Sequence, residues 1–208
     1  MRIRCCVVGG GPAGMMLGFL LARSGIDVVV LEKHGDFLRD FCGDTIHPST
    51  LNVMDELGLL DEFLELPHQA VLRFSAQFGE ERVRVADFSH LPVRCRFIAM
   101  MSQWDFLDFL SNQGRRYPTF TVLMSTEATG LIEEKGKVVG IRATTGGAPR
   151  EIRADLVVGA DGRHSTIRQC AGLAVKELGA PMDVLWFRLT HKPGDTSETM
   201  GRFDRGSI

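Results

Sequence analysis

The sequence offers little with which to bind a metal or build a disulfide framework. Its 208 residues include five cysteines. Cys5 and Cys6 are adjacent, and Cys42, Cys95 and Cys170 are scattered, without the paired spacing of zinc sites. Scattered thiols in odd number point to reduced cysteines in a cytoplasmic protein. No H-E-x-x-H, ligand cluster or Ser-His-Asp order is present, so no metal and no catalytic side chain is assigned. Long basic runs are missing as well. The formal net charge is −2, and the pair Arg115 and Arg116 reads as a helix end, so no nucleic-acid partner is expected. Internal repeats and low-complexity segments are also lacking.

Charge itself is absent from Cys5 to Ala22, with Arg2 and Arg4 just before. Signal peptides and membrane spans share that pattern. However, Gly9, Gly10, Gly11 and Pro12 stand in the middle, where they would break an apolar helix. A strand, a glycine turn and a helix account for the same residues, and stable membrane insertion is not expected.

What is present reads as an α/β chain of ordinary globular composition, 44% hydrophobic and 24% charged. Residues 3–8 predict a buried strand, and "AGMMLGFLLARSG" a helix with Gly25 near its C-cap. Residues 27–33 ("DVVVLEK") predict a second strand buried on both faces. Residues 35–47 read as loop. A helix pair broken at Gly58 follows, with Pro48 in its first turn. Residues 70–88 alternate on both sides of Gly79 and predict a β-hairpin. The segment "SQWDFLDFLSNQGRR" predicts an amphipathic helix with Ser102 as N-cap. "FTVLM", "EATGLIEE", "KVVGIRATT" and "REIRADLVVGA" predict a β-meander followed by one more buried strand. A short helix, "HSTIRQCAG", comes next. Residues 183–191 predict a strand of a second domain.

Gly9, Gly11 and Gly14 form G-x-G-x-x-G between the first strand and its helix. The first glycine permits a tight turn, the second a close backbone approach to a pyrophosphate, and the third helix–strand packing. Glu32 closes the next strand, at about the 20-residue separation expected of an acid that binds ribose hydroxyls. An acid there suits a free 2′-hydroxyl, hence FAD or NAD rather than NADP. The alternative is a solvated charge at a strand end. A plain NAD unit would continue with alternating strands and helices. The interrupted layout here resembles FAD domains of the glutathione-reductase type, in which a later strand returns to the parallel sheet.

In order, "VVGGGPAG", "VVVLEK", "GDTIHPSTLNVMDELGLLDEF", "MSQWDFLDFL" and "LVVGADGRHSTIR" resemble the group A FAD-dependent monooxygenases, the para-hydroxybenzoate hydroxylase-like family. The last segment fits that family's G-A-D-G-x-x-S-x-x-R motif through Asp161, Gly162, Ser165 and Arg168. The resemblance implies an FAD-binding Rossmann-like parallel sheet with an inserted hairpin and meander. It places the FAD-binding domain at residues 1–180, with 68–100 contributing to a substrate domain. Residues 181–208 would start that substrate domain, and the expectation from "GRFDRGSI" is that the chain stops before it is complete.

The resemblance further implies cofactor contacts from Gly9, Gly11, Pro12, Ala13 and Gly14 at the pyrophosphate, and from Glu32 and Lys33 at the adenosine ribose. Gln103 would face the cofactor, and Asp161 and Gly162 would lie near the pyrophosphate. Arg168 would anchor its motif internally, and Ser165 reads as an N-cap. Cys42 stands where relatives carry an arginine, and a cysteine replaces neither its charge nor its fork. The implied activity is NAD(P)H-driven hydroxylation of an aromatic or similar small substrate by molecular oxygen, through a flavin C4a-hydroperoxide. A homodimer stays open. So do an FAD-binding fragment without hydroxylase activity and a related flavin reductase. A halogenase fits less well, since neither Trp104 nor Trp186 lies in a W-x-W-x-I-P stretch.

Overall fold

The computed structural model describes residues 2–38, 45–179, 190, 192 and 200–203. Cys42 and most of the strand expected at 183–191 lie outside the described residues. By internal contacts the chain divides into two units, one of residues 1–40 and 106–183, the other of 41–105 and 184–208.

The first unit begins with strand β1 (Arg2–Val8), helix α1 (Pro12–Arg23) and strand β2 (Val28–Leu31). β2 is four β-branched or leucine residues, all buried, as a strand covered on both faces requires. α1 buries Gly14, Met15, Gly18, Phe19 and Ala22, the spacing of one helical face. Burying side chains such as Met15 and Phe19 contributes about 1.5–3 kcal/mol each. The helix ends in a Schellman motif. Ile26 N–H donates to Leu21 and Gly25 N–H to Ala22, with Gly25 at a φ of +75°.

The second unit contributes β3 (Thr45–Ile46), α2 (Pro48–Glu56), α3 (Leu60–Leu64), β4 (Gln69–Val71), β5 (Arg73–Phe78), β6 (Glu81–Asp87) and β7 (Ile98–Met100). The expected helix pair and hairpin are present. Two details differ from the sequence reading. Thr45 and Ile46, read as loop, pair antiparallel with β7, and so does β4. Segments of two or three residues carry no periodicity, so only their pairing defines them. Arg94 fastens this unit by an ion pair to Asp55 at 2.8 Å and another to Asp61.

Asp87, at the end of β6, accepts from the Ser89 hydroxyl at 2.5 Å and the Ser89 N–H at 3.0 Å, and pairs with Arg73 at 3.1 Å. The Ser89 bonds, with Arg73, hold its carboxyl down at about 2, against 3.8 ordinarily. A depressed carboxyl pKa stabilises the fold fully above the ordinary value, and that contribution is lost as pH falls through about 2. The difference in melting temperature between the wild type and Asp87→Asn is therefore expected to be constant above pH 5 and to close near pH 2, followed by circular dichroism.

Helix α4 (Gln103–Gly114) starts in the second unit and continues into the first. The first unit then adds β8 (Phe120–Leu123), β9 (Thr126–Glu134), β10 (Lys137–Thr145), β11 (Ala148–Gly159) and α5 (Thr166–Cys170). A last strand, β12 (Met200–Phe203), pairs parallel with β5 in the second unit. The main sheet has the order β8-β2-β1-β11-β10-β9.

The meander expectation needs two corrections. β8 is not part of it, because Phe120 to Leu123 pair parallel with β2. A short apolar run does not reveal its partner. The remaining strands do meander, but the third is also the returning strand. β11 pairs antiparallel with β10 through Arg153 and parallel with β1 from Arg153 to Gly159. Its second half is not fully buried, and Leu156 is 57% exposed. Helix α1 packs on β1, β2 and β8, and α5 packs on β9. The core of this unit joins Val8 and Leu31 to Leu131, Ile141, Ile152 and Ile167.

Cys5, Cys6 and Cys95 are buried and free, while Cys170 is exposed. Burial, with Cys5 beside it, pushes the Cys6 thiol up to about 12. Burial also raises Cys5 and Cys95. A thiol reagent at pH 8 is expected to modify Cys170 in the native chain and to leave these three intact until denaturant is added. Peptide mass spectrometry reads the outcome, and labelling of native Cys6 would contradict this packing.

Among the described residues, no helix is long and apolar enough to cross a membrane. No group of three or more His, Cys, Asp or Glu among them is placed to hold a metal ion.

Candidate functional site

β8, β2, β1 and β11 run parallel, and the chain leaves β1 for β2 on one side and returns through β11 on the other. Such a reversal opens a crevice at the carboxyl ends of the strands, where α/β sheets bind ligands. A cavity of about 250 Å³ lies there. The glycine turn after β1, the residues after β2 and the segment after β11 all line it.

The turn is built on backbone approaches that exclude side chains. Gly9 has a φ of +110°, and a Cβ there would lie 2.3 Å from the Ala160 carbonyl oxygen. A Cβ on Gly14 would lie 1.9 Å from the Gly9 carbonyl oxygen. Gly11 is different. Its φ is −74°, and nothing would touch an added Cβ within 4 Å. Gly11 is the N-cap of α1, with no side-chain cap and no acid in the first turn. Pro12 follows at N1 and both it and Ala13 are exposed. An uncapped helix start presents N–H groups and the positive dipole end to the cavity side, the donor set that suits a diphosphate.

Glu32 lines the same cavity although it is only 7% exposed. Its carboxylate accepts from Gly10 N–H at 3.1 Å and from His34 N–H at 2.9 Å. Its own N–H donates to Leu123 and its carbonyl accepts from Thr126. Glu32 thus joins the glycine turn, the end of β2 and the crossing after β8. The reading of Glu32 as a merely solvated charge does not hold, because it is buried and bonded. Lys33 is exposed beside it, on the cavity wall.

On the opposite wall, Ala160 N–H donates to Val8 at 2.7 Å, which brings Asp161 and Gly162 to the cavity. Ser165 caps α5 as expected, accepting from Arg168 N–H at 3.0 Å. Arg168 donates to the Arg163 carbonyl at 2.5 Å, the internal anchoring expected of it.

The fold therefore brings Gly9, Gly11, Glu32, Lys33, Asp161 and Gly162 to one cavity. Pro12, Ala13 and Gly14 form the helix turn that leads from it. Gln103 is the first residue of α4, in the second unit, and is not among the cavity-lining residues. Sequence reasoning missed Thr126, Glu127 and Ala128, which form a wall. They reach it because Ser125 takes a φ of +50° and donates its N–H to His34. A serine in that conformation is uncommon and leaves no sequence signature. His34 and His164 also line the cavity, and both are exposed.

Known proteins resemble this chain in sequence and fold. Residues 2–206 match the model of the FAD binding domain family. The 6-methylpretetramide 4-monooxygenase of Streptomyces rimosus is 36% identical over 189 residues, covering 89% of this chain and 44% of that protein. Rifampicin monooxygenase of Streptomyces venezuelae is 32% identical over 180 residues, 81% of this chain and 33% of that protein. Among solved structures, PqsL of Pseudomonas aeruginosa, a probable FAD-dependent monooxygenase, superposes with a TM-score of 0.74. It is 24% identical, with 87% of this chain and 48% of that one covered. The chain thus spans less than half the length of these relatives. The chain belongs to the FAD binding domain family, of the group A monooxygenase type that its motifs resemble.

Proposed function

We propose that the chain forms the FAD-binding part of an NAD(P)H-dependent monooxygenase that hydroxylates a small aromatic substrate with molecular oxygen. The observation that carries the reading is one cavity uniting the uncapped start of α1, Glu32 and the Asp161 segment. The N–H groups at the start of α1 would hold the diphosphate, and Glu32 and Lys33 the adenosine ribose. Gly11, with open space where a side chain would stand, lets a phosphate approach the backbone. Bound FAD would supply the redox and oxygen chemistry, while the protein binds, orients and shields it. Gln103 remains assigned to the cofactor on the family resemblance alone. The second unit, with residues 68–100, is read as part of the substrate domain. Two of the relatives are named as monooxygenases of 6-methylpretetramide and rifampicin, which supports a polycyclic or aromatic substrate class.

The test is to reconstitute the protein with FAD and follow NADH and NADPH oxidation with oxygen uptake across a panel of phenolic compounds. Oxidation stimulated by a phenol, with hydroxylated product by mass spectrometry, is the expected result. A protein that binds FAD but shows no stimulation with any donor would leave the cofactor reading and overturn the hydroxylase reading.

A further inference from the structure

Glu32, Glu127 and Asp161 all line the cavity, and the three acids are not equivalent. Each oxygen of Glu32 accepts one main-chain N–H, from Gly10 and from His34. The Asp161 oxygens accept from the Ser165 hydroxyl at 2.5 Å and from Ile167 N–H at 3.1 Å. The Glu127 carboxylate, among the described residues, has neither a hydrogen bond nor an ion pair. Its place in β9 explains this. Side chains alternate along a strand, and Glu127 is exposed between the buried Thr126 and Ala128. Ala128 joins the core, and the Thr126 hydroxyl bonds the Met124 carbonyl and the Thr145 hydroxyl. Glu127 is left to the cavity and solvent. Thr126 N–H donates to the Glu32 carbonyl at 2.8 Å, so Glu32 and Glu127 stand close together on the wall assigned to the adenosine. Among the described lining residues Lys33 is the single lysine and there is no arginine, so these two carboxylates face one ammonium.

A carboxylate whose charge no donor offsets admits hydroxyls and amines and repels phosphates. We propose that Glu127 is a specificity residue of this cavity. Its carboxylate rejects adenine nucleotides that carry a further phosphate on the ribose, as NADPH does, and admits those with an unsubstituted ribose, as in FAD. Glu32 supplies acceptor atoms on the same wall, but its charge is partly offset by the two N–H groups it holds, so most of the discrimination by charge falls to Glu127. A donor that shares its adenosine diphosphate half with FAD is thereby kept from the cofactor's place. The proposal rests on the reading of the cavity as the adenosine diphosphate site.

The experiment titrates the full chain, without flavin, with ADP-ribose and with 2′-phospho-ADP-ribose by calorimetry. The wild type, Glu127→Gln and Glu127→Lys are compared at one pH, so that His34 and His164 on the same cavity keep one charge state. The wild type is expected to prefer ADP-ribose by about tenfold or more. Glu127→Gln keeps the side-chain size and removes the charge. It should cut that preference to about threefold or less, the remainder being that of Glu32. Glu127→Lys should abolish or reverse it. Raising the ionic strength to about 1 M should shrink the preference of the wild type more than that of Glu127→Gln, because salt screens charge and not shape. The three proteins should melt alike, since the Glu127 side chain makes no bond within the fold. An unchanged preference in both variants, or a wild type that binds the two ligands equally, would overturn the proposal and leave the cofactor reading. A protein that binds neither ligand would overturn both.

Discussion

Replacing Gly14 by alanine is expected to destabilise the first unit by about 2–3 kcal/mol or more and to abolish measurable FAD binding. The reason is geometric. The new Cβ would lie 1.9 Å from the Gly9 carbonyl oxygen and 3.3 Å from a Val7 methyl. The first contact is backbone to backbone, so no rotamer change relieves it. Either α1 retreats from β1 or the turn at Gly9 opens, and both move the helix start that faces the cavity. Gly11→Ala is the matching control. Nothing lies within 4 Å of its Cβ position, and its φ of −74° suits any residue. It is expected to change stability by less than about 1 kcal/mol. Because its methyl would stand in the space left open for a phosphate, it should still lower FAD affinity, by about tenfold or more. Chemical denaturation and flavin titration separate the two effects. Equal stability of Gly14→Ala and Gly11→Ala would contradict the packing described.

Replacing Glu32 by alanine carries the second large effect. The carboxylate holds the N–H groups of Gly10 and His34. Its loss leaves two donors, one of them buried, without that acceptor, at a cost of about 1–3 kcal/mol. FAD affinity is expected to fall further than stability alone would require, because on the proposed reading the ribose hydroxyls would lose the same acceptor. Glu32→Gln keeps one carbonyl oxygen and the side-chain volume, and should retain most of the stability. A neutral amide accepts less strongly than a carboxylate, so its affinity should fall between the two. Thermal unfolding without flavin reads the first effect, and titration with FAD the second. An alanine variant with wild-type melting temperature would show that the Gly10 bond does not organise the turn.

Most of the parallel sheet was legible because its signals are local. Three glycines, an uncharged helix face and an acid at the end of a β-branched run lie within residues 3–33. The helix pair broken at Gly58 and the hairpin around Gly79 were legible for the same reason. Non-local pairing was not. β8 reads as any short apolar strand, and only its partnership with β2 places it at the sheet edge. β11 reads as one strand, but its two halves pair with different strands along its two edges. The cavity wall from Thr126 to Ala128 depends on both, so the site was half visible. The residues after β1, β2 and β11 could be named, and those after β8 could not. Asp161 shows a different limit. Its motif marked its place beside the turn, but only hydrogen-bond geometry shows where its carboxylate goes.

The central claim is that the cavity takes the adenosine diphosphate half of FAD. Competition titration tests it most directly. Bound FAD is challenged with ADP and, separately, with FMN, in the wild type and in Glu32→Ala. The account predicts that ADP displaces FAD, that FMN does not, and that Glu32→Ala weakens FAD and ADP in parallel. FMN competing as well as ADP, or Glu32→Ala binding FAD like the wild type, would contradict it.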